Sequence, residues 1–312
     1  MRHVRMLGLC LVAVFAVAAI AATSASALPE WGQCYLKGAG GKYTDSNCQH
    51  KSSKKSPGEY EWRKSTEVKP EQKKFSGANV GSGGVLTTEF NQCIGGTHEF
   101  QRVPRHTCEE GGGKVESAGY AQVECESETN RGEATGTKQV KNVVVQFRGC
   151  KFFGTSPCQN TPKEGEIQVN VLKGTLGYIN KATKEVGVLL EPAVKKGEFA
   201  KFDCLNGGVS TIVGVGNEKE GAAYSPEKTG GYDGIISPIT PINTMTKEFT
   251  QVYTVNAAFE NVPSKFEGKH IELLEDYLLN NEVTASTVWQ KAGETITNVN
   301  KQESGEEAEI KA

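Results

Sequence analysis

The residues best placed to do chemistry along this chain are its cysteines, nine in all. In "QFRGCKFFGTSPCQ", Gln146 to Gln159, Cys150 and Cys158 stand eight positions apart around a glycine and a proline. Such a pair can exchange redox equivalents, supply half of a metal site, or staple a loop. Redox pairs favour two intervening residues at a helix start, where the thiolate is stabilised. Here seven residues intervene and Pro157 precedes the second cysteine, so a structural staple is the better reading. "CIGGTHEFQRVPRHTC" raises the metal alternative: Cys93, His98, His106 and Cys108 are residue types that zinc accepts in a tetrahedral site. Their spacing matches no common zinc motif, and a disulfide closing a polar loop is preferred.

Other catalytic constellations are weaker. No serine sits in a G-x-S-x-G elbow. Past the leader, the histidines are His50, in the basic loop "HKSSKKS", with His98, His106 and His270. Each reads as a solvated side chain before it reads as a base. Glu59 with Glu61, and Glu124 with Glu126, alternate as same-face carboxylate pairs. Glycoside hydrolysis needs two carboxylates about 5–10 Å apart across a cleft, one with a raised pKa, and nothing in the sequence indicates that burial. "DSN" at Asp45 to Asn47 lacks the spaced oxygens and turn glycine of a calcium loop. The glycine runs at Gly81–Gly84 and Gly111–Gly113 lack the context of a phosphate or dinucleotide loop. Trp31, Tyr35, Tyr43, Tyr60 and Trp62 crowd one region and are able to stack on sugars or anchor a partner. A miniature core around Cys34 and Cys48 is the preferred reading of them. No catalytic, cofactor-binding or metal residue is assigned.

These residues must be positioned by an exported fold. "MRHVRMLGLCLVAVFAVAAIAATSASA" has a positive start, an apolar run and small residues at Ala25, Ser26 and Ala27, the pattern of a signal peptide over residues 1–27. Cys10 is preceded by Leu9, too large for lipoprotein processing. Cleavage removes Arg2 and Arg5 and no acid, so the formal charge moves from −2 to −4. That balance argues against nucleic acid or an anionic membrane as principal partner. No later apolar run approaches the ~20 residues of a membrane span.

After cleavage, Cys34, Cys48, Cys93, Cys108, Cys125, Cys150, Cys158 and Cys204 remain, an even set in an oxidising compartment. Eight cysteines allow 105 connectivities. Chain proximity suggests Cys34–Cys48, Cys93–Cys108 and Cys150–Cys158, with Cys125–Cys204 as the long tie.

The periodicity is mostly two. Residues 28–75 read as a small disulfide-closed segment, and after the glycine-rich hinge "GANVGSGG" residues 76–312 read as a β-rich domain. "YAQVECE", "KQVKNVVVQFR" and "GEIQVNVLKGTLGYINKATKEVGVLLEP" look like successive strands. Asn206-Gly207 marks a hairpin. "EFTQVYTVNAAFE" places Phe249, Tyr253, Val255, Ala257 and Phe259 on one strand face. "STVWQKAGETITNV", with Trp289 as a core residue, and the terminal "EEAEIKA" look like closing strands. Gly216 to Thr246, polar and proline-containing, reads as a surface excursion. In "HIELLEDYLL", Ile271, Leu274 and Leu278 suit a helix as well as a strand. The expected fold is an antiparallel all-β domain, a sandwich in preference to a closed barrel.

Taken together, "LPEWGQC", "GKYTDSNC", "GEYEW", "GEATGTKQVKNVVVQFRGC", "GEIQVNVLKGTLGYI", "VGVLLEP", "FDC" and "EIKA" resemble a family of uncharacterised exported proteins from soil actinobacteria of the Solirubrobacter type. The resemblance implies export and a shared fold, carries no activity or ligand, and is interrupted by the Cys93–Cys108 stretch, which looks like an added loop. The expected function is non-enzymatic: a secreted or envelope-associated binding or structural protein, with cell-wall glycan or another envelope protein as candidate partners and no cofactor. The alternative is a secreted hydrolase acting on polysaccharide.

Overall fold

The computed structural model describes residues 28–98, 105–193, 198–204, 209–214, 234–270, 274–280 and 290–312. The expected signal peptide, residues 1–27, and Trp289 lie outside them, as does Asn206-Gly207. The described chain is all-β. The N-terminal hairpin is β1 (Glu30–Gly41) and β2 (Gly58–Lys64). It is followed by β3 (Lys74–Asn79), β4 (Val85–Ile94), β5 (Lys114–Glu124), β6 (Ser127–Ala134) and β7 (Gln139–Arg148), with a short α-helix, Arg105–Glu110, ahead of β5. Short strands β8 (Lys151–Phe152), β9 (Ser156–Gln159) and β10 (Ile167–Gln168) lead to β11 (Leu172–Asn180), β12 (Glu185–Pro192), β13 (Glu198–Cys204) and β14 (Val209–Gly214). The remainder is β15 (Ile235–Thr240), β16 (Glu248–Val255), β17 (Asn261–Val262), β18 (Lys265–Phe266), β19 (Lys269–His270), β20 (Glu275–Asn280), β21 (Gln290–Gln302) and β22 (Glu309–Lys311).

Eight of these strands close on themselves. The antiparallel order β7-β11-β12-β15-β16-β21-β3-β6 returns to β7, so the fold is a barrel where the sequence suggested a sandwich. Alternation along single strands is the same in either architecture; the difference lies in which distant strands pair. The strands outside the barrel form a second antiparallel circuit, β21-β4-β5-β8-β9-β13-β14-β20 and back to β21. One end of the main barrel is covered by a three-stranded sheet in which β1 pairs both β2 and the C-terminal β22. Residue 75, the expected end of the first segment, lies inside β3.

Local chemistry explains the departures from regular strands. In β7, Val140 and Val143 both face inward because Asn142 sits at φ 53° in a bulge and donates its amide to Glu133 at 2.7 Å. Asparagine tolerates that left-handed conformation. The presumed surface excursion at Gly216–Thr246 contains β15, whose Ile235, Ile236, Ser237 and Ile239 are buried between β12 and β16. Pro238 and Pro241 disguised it as a loop. "HIELLEDYLL" resolves into β20, paired with β14 and β21, although Ile271 lies outside the described residues. In "EFTQVYTVNAAFE" the strand stops at Val255, where Asn256 accepts the N–H groups of Ala258 and Glu260 and turns the chain. Outside the barrel, Phe266 from the β18–β19 hairpin is fully buried on Leu189 and Ile236.

All eight cysteines after the leader are bonded, in the pairs Cys34–Cys48, Cys93–Cys108, Cys125–Cys150 and Cys158–Cys204. The expected Cys150–Cys158 and Cys125–Cys204 pairs are thus exchanged. Cys125 lies where the chain passes from β5 to β6, and Cys150 where it passes from β7 to β8, so this bond ties two crossings between the circuits. Cys158 stands directly opposite Cys204 in the β9–β13 register. Cys158 does lie beside Cys150, donating its N–H to the Cys150 carbonyl at 2.9 Å, but each sulfur bonds across to another strand. Non-reducing digestion and mass spectrometry will recover a Cys125–Cys150 and a Cys158–Cys204 peptide; a Cys150–Cys158 peptide would contradict the fold. Replacing both Cys125 and Cys150 by alanine removes a bond of sequence separation 25, an expected loss of about 3 kcal/mol in chemical denaturation.

Candidate functional site

The barrel lumen holds a pocket lined from most of its strands. A cavity of about 100 Å³ lies within it, and a second of about 80 Å³ adjoins it, the two sharing Phe147, Val169, Phe199, Ile235 and Glu294 as walls. The lumen is divided by strand. On β7, β11, β12 and β15 the inward positions are mainly aliphatic, among them Val143, Leu172, Val188, Leu190 and Ile239. On strands β16, β21 and β6 they are largely polar, Gln251, Tyr253, Glu294, Asn298, Asn300, Glu128 and Asn130, with Phe249, Ala134 and Phe75 of β3 as apolar members. Trp31 from β1 reaches the lumen at the covered end and meets Phe249 edge-on, with ring centroids 5.2 Å apart.

The polar wall is a connected network. Asn298 is oriented by its neighbours so that its amide nitrogen donates to Glu128 Oε2 at 3.0 Å and to the Thr297 carbonyl at 3.3 Å. Asn130 donates to the same Glu128 oxygen at 3.5 Å, and the Glu128 backbone N–H donates to Asn79 at 2.9 Å. Asn300 donates to Gln251 at 2.8 Å, and Gln251 to Ser237 at 2.7 Å. Gly77 makes room for this arrangement. It lies between Asn300 and Asn130 in the β21–β3–β6 register, and a Cβ there would overlap both amides. Asn261, fully buried, fixes the strand behind Glu294: it accepts the Glu294 N–H at 3.1 Å and donates to its carbonyl at 2.8 Å.

Two carboxyl groups in this wall are shifted toward their neutral forms. Glu128 is 1 % exposed. Its burial pushes the pKa up to about 8, with the hydrogen bond from Asn130 opposing and the charge of Glu294 reinforcing. Burial pushes Glu294 up to about 7. Glu294 is surrounded by protein yet keeps some free surface, which we ascribe to the two cavities it lines. Tyr253 is also raised, first by burial, against a hydrogen bond with Ser237. Nothing in "SETNRG" or "GETITNVN" marked these acids, because polar alternation reads as the solvent face.

The residues singled out from sequence lie elsewhere. Cys93 and Cys108 are joined to each other, so neither sulfur is free for zinc; the side chains of His98 and His106 lie outside the described residues. Among described residues no group of three metal-ligating side chains converges. His50 is exposed and pairs with Asp45 at 3.1 Å, and Asp45 also accepts the backbone N–H groups of Asn47, Gln49 and His50, which makes "DSN" a turn stabilised by its own carboxylate. The His270 side chain lies outside the described residues. Glu61 is ion-paired to Lys37 and Lys42, and hydrogen bonds from both lysines hold its pKa below the usual range, the wrong direction for a general acid. Glu59, Glu124 and Glu126 are exposed. Of the aromatics, Tyr35 stacks under Arg63 at 4.8 Å, while Tyr43 and Trp62 flank the Lys311 ammonium at 5.5 and 4.3 Å. They hold the covering sheet together and present no open platform.

No protein-family model, curated protein or solved structure matches the chain. Its class is therefore defined by geometry: a disulfide-linked antiparallel β-barrel with an amphipathic lumen.

The raised carboxyl pKa values fix a pH dependence. A carboxyl whose folded pKa lies above its unfolded value binds more protons folded than unfolded, so stability falls as pH rises between the two. For Glu128 that window runs from 4.5 to about 8 and for Glu294 from 4.5 to about 7. Denaturation midpoints are expected to decline across pH 5–8. Glu128→Gln should match the wild type at pH 5 and exceed it at pH 8 by a few kcal/mol. A wild-type profile flat from pH 5 to 8 would contradict the burial of these acids.

Proposed function

We propose that this chain is an exported, disulfide-stapled protein of the cell envelope or extracellular space that binds a small, largely apolar molecule inside its barrel. The observation that carries the reading is the lumen: a cavity with an aliphatic wall and a polar wall. Eight-stranded barrels of this size either fill with side chains or hold one small ligand, and this one leaves space. The leader pattern, the four disulfides and the likeness to exported actinobacterial proteins support the location. Cavities of about 100 and 80 Å³ are below the ~150 Å³ of an engineered cavity that takes benzene, so the ligand is a short alkyl chain or a single small ring.

A second reading, polysaccharide hydrolysis, draws on one observation: two carboxyl groups with raised pKa values share the lumen. It is less favoured. The acids face a space too small for a sugar chain, and a glycosidase needs one of its two carboxylates ionised in an open cleft.

Titration of methyl-labelled protein with benzene and 1-butanol tests the binding role. Saturable shifts at Val143, Leu172 and Val188 are expected, and Val188→Phe, which fills the lumen, should abolish those at Val143 and Leu172 while the far-UV spectrum is kept. Wild-type protein that shows no shift at any of the three with either compound at millimolar concentration would refute it.

A further inference from the structure

The lumen holds buried hydrogen-bond acceptors that no protein donor reaches. Three of its buried oxygens have no protein partner: Glu128 Oε1, Asn130 Oδ1 and Asn300 Oδ1. Asn130 and Asn300 stand over Gly77 from opposite sides, and Asn130 reaches Glu128 two residues along the same face, so the three belong to one patch. The only unpartnered donor that lines the cavity, among the described residues, is Trp31 Nε1, which belongs to the covering sheet. One proton on Glu128 serves at most itself and one amide oxygen, and no hydrogen bond joins the Glu294 carboxyl to the patch, which leaves an acceptor over. Four lining residues titrate: Glu128 on β6, Glu294 and Lys301 on β21, and Tyr253 on β16. Lys301 directs its ammonium to Glu248 at 2.8 Å, where both side chains are exposed. The acids therefore share the lumen with no cation of the protein's own.

We infer that the lumen takes a small primary amine, bound as its ammonium ion against the Glu128–Asn130–Asn300 patch with its hydrocarbon on the aliphatic wall. This deepens the binding reading and rests on it. An ammonium offers three N–H donors, one for each unpartnered oxygen. A hydroxyl offers one, and a carboxylate offers none. Burying an isolated cation costs far more than the hydrogen bonds return, so a counter-charge must form. The amine enters as R–NH3⁺, Glu128 or Glu294 gives up its proton to solvent, and the pair inside the barrel is neutral overall. Both acids are protonated in large part at neutral pH, so binding releases about one proton there and strengthens as the pH rises toward 8. The empty barrel thus avoids holding two like charges, and the charged form appears when the cation arrives.

n-Butylamine, 1-butanol and butyrate share a chain length and differ in the polar head, and together they separate this inference from the reading beneath it. Affinities are taken from methyl-shift titrations of the whole exported chain at pH 5, 6, 7 and 8, with side-chain carboxyl ¹³C signals recorded in parallel. At pH 8 butylamine is expected to bind at least tenfold more tightly than butanol, with the gap closing toward pH 5. The Glu128 or Glu294 carboxyl signal should move to its ionised position as amine is added. Glu128→Gln with Glu294→Gln should erase the tenfold preference and leave butanol binding within about threefold. Butanol or butyrate binding as tightly as the amine, or carboxyl signals unmoved by it, would overturn the amine assignment while the lumen remained a binding site. No binding by any of the three would overturn both.

Discussion

A single strand, β21, carries both circuits. Its first half, through Thr295, pairs β20 and β4, and its second half pairs β16 and β3. Thirteen residues in one extended run make this possible, because at ~3.3 Å per residue they span about 40 Å, twice the usual strand. Each circuit is otherwise assembled from shorter pieces, and several links in the outer one rest on only two paired residues. Without the shared strand, the lumen walls would not be held in one register. Glu294 stands at the changeover, which is why it lines both cavities. Ala292 and Gly293, just before it, are the small residues of the crowded junction, with Ala292 fully buried.

The disulfides reinforce the same junction. A chain that leaves one barrel for another must run through positions where ladder hydrogen bonds are interrupted, and those positions open most readily. Cys125 and Cys150 sit on two such passages, and Cys158–Cys204 secures β9, a strand too short to hold by pairing alone. The other two bonds serve different ends. Cys34–Cys48 closes the loop of the covering sheet, and Cys93–Cys108 ties the end of β4 to the short helix. The covering sheet is fastened further by the Trp31 backbone N–H, which donates to the Thr137 carbonyl at 2.8 Å, and by the Ser65 hydroxyl, which donates to the Gly136 carbonyl at 2.6 Å.

Much of the strand content was legible because period-two alternation is a local signal. Barrel closure was not, since "GTLGYIN" carries no mark that its neighbour is β7 on one side and β12 on the other. The cysteine set was legible as wholly disulfide-bonded, and two of its four pairs followed from proximity. The others did not, because Cys150 and Cys158 are neighbours whose side chains reach across to other strands. The lumen acids escaped altogether. In β3, β6 and β21 the residues Asn79, Glu128, Asn130, Asn298 and Asn300 occupy the inward positions, and in β21 Val299, an aliphatic residue, takes an outward one. The rule that apolar residues face the core inverts on a wall built to be polar, and the same alternation then assigns the wrong face.

That inversion is also what separates a binding barrel from a structural one. A barrel needed only as scaffold is most stable with its interior filled by aliphatic side chains, since replacing buried polar groups by well-packed apolar ones is often neutral or stabilising. This chain applies that solution on β7, β11 and β12 and departs from it on the facing strands, leaving Glu128 Oε1, Asn130 Oδ1 and Asn300 Oδ1 unpartnered. Each unpaired buried oxygen costs on the order of 1–3 kcal/mol. These three face a cavity beside an aliphatic wall, while the other buried polar atoms without a hydrogen bond among the described residues, on Glu30, Trp31, Trp62, Arg63 and Glu309, belong to the covering sheet. Under the proposed binding role, this polar wall is the surface that an occupant of the lumen would contact.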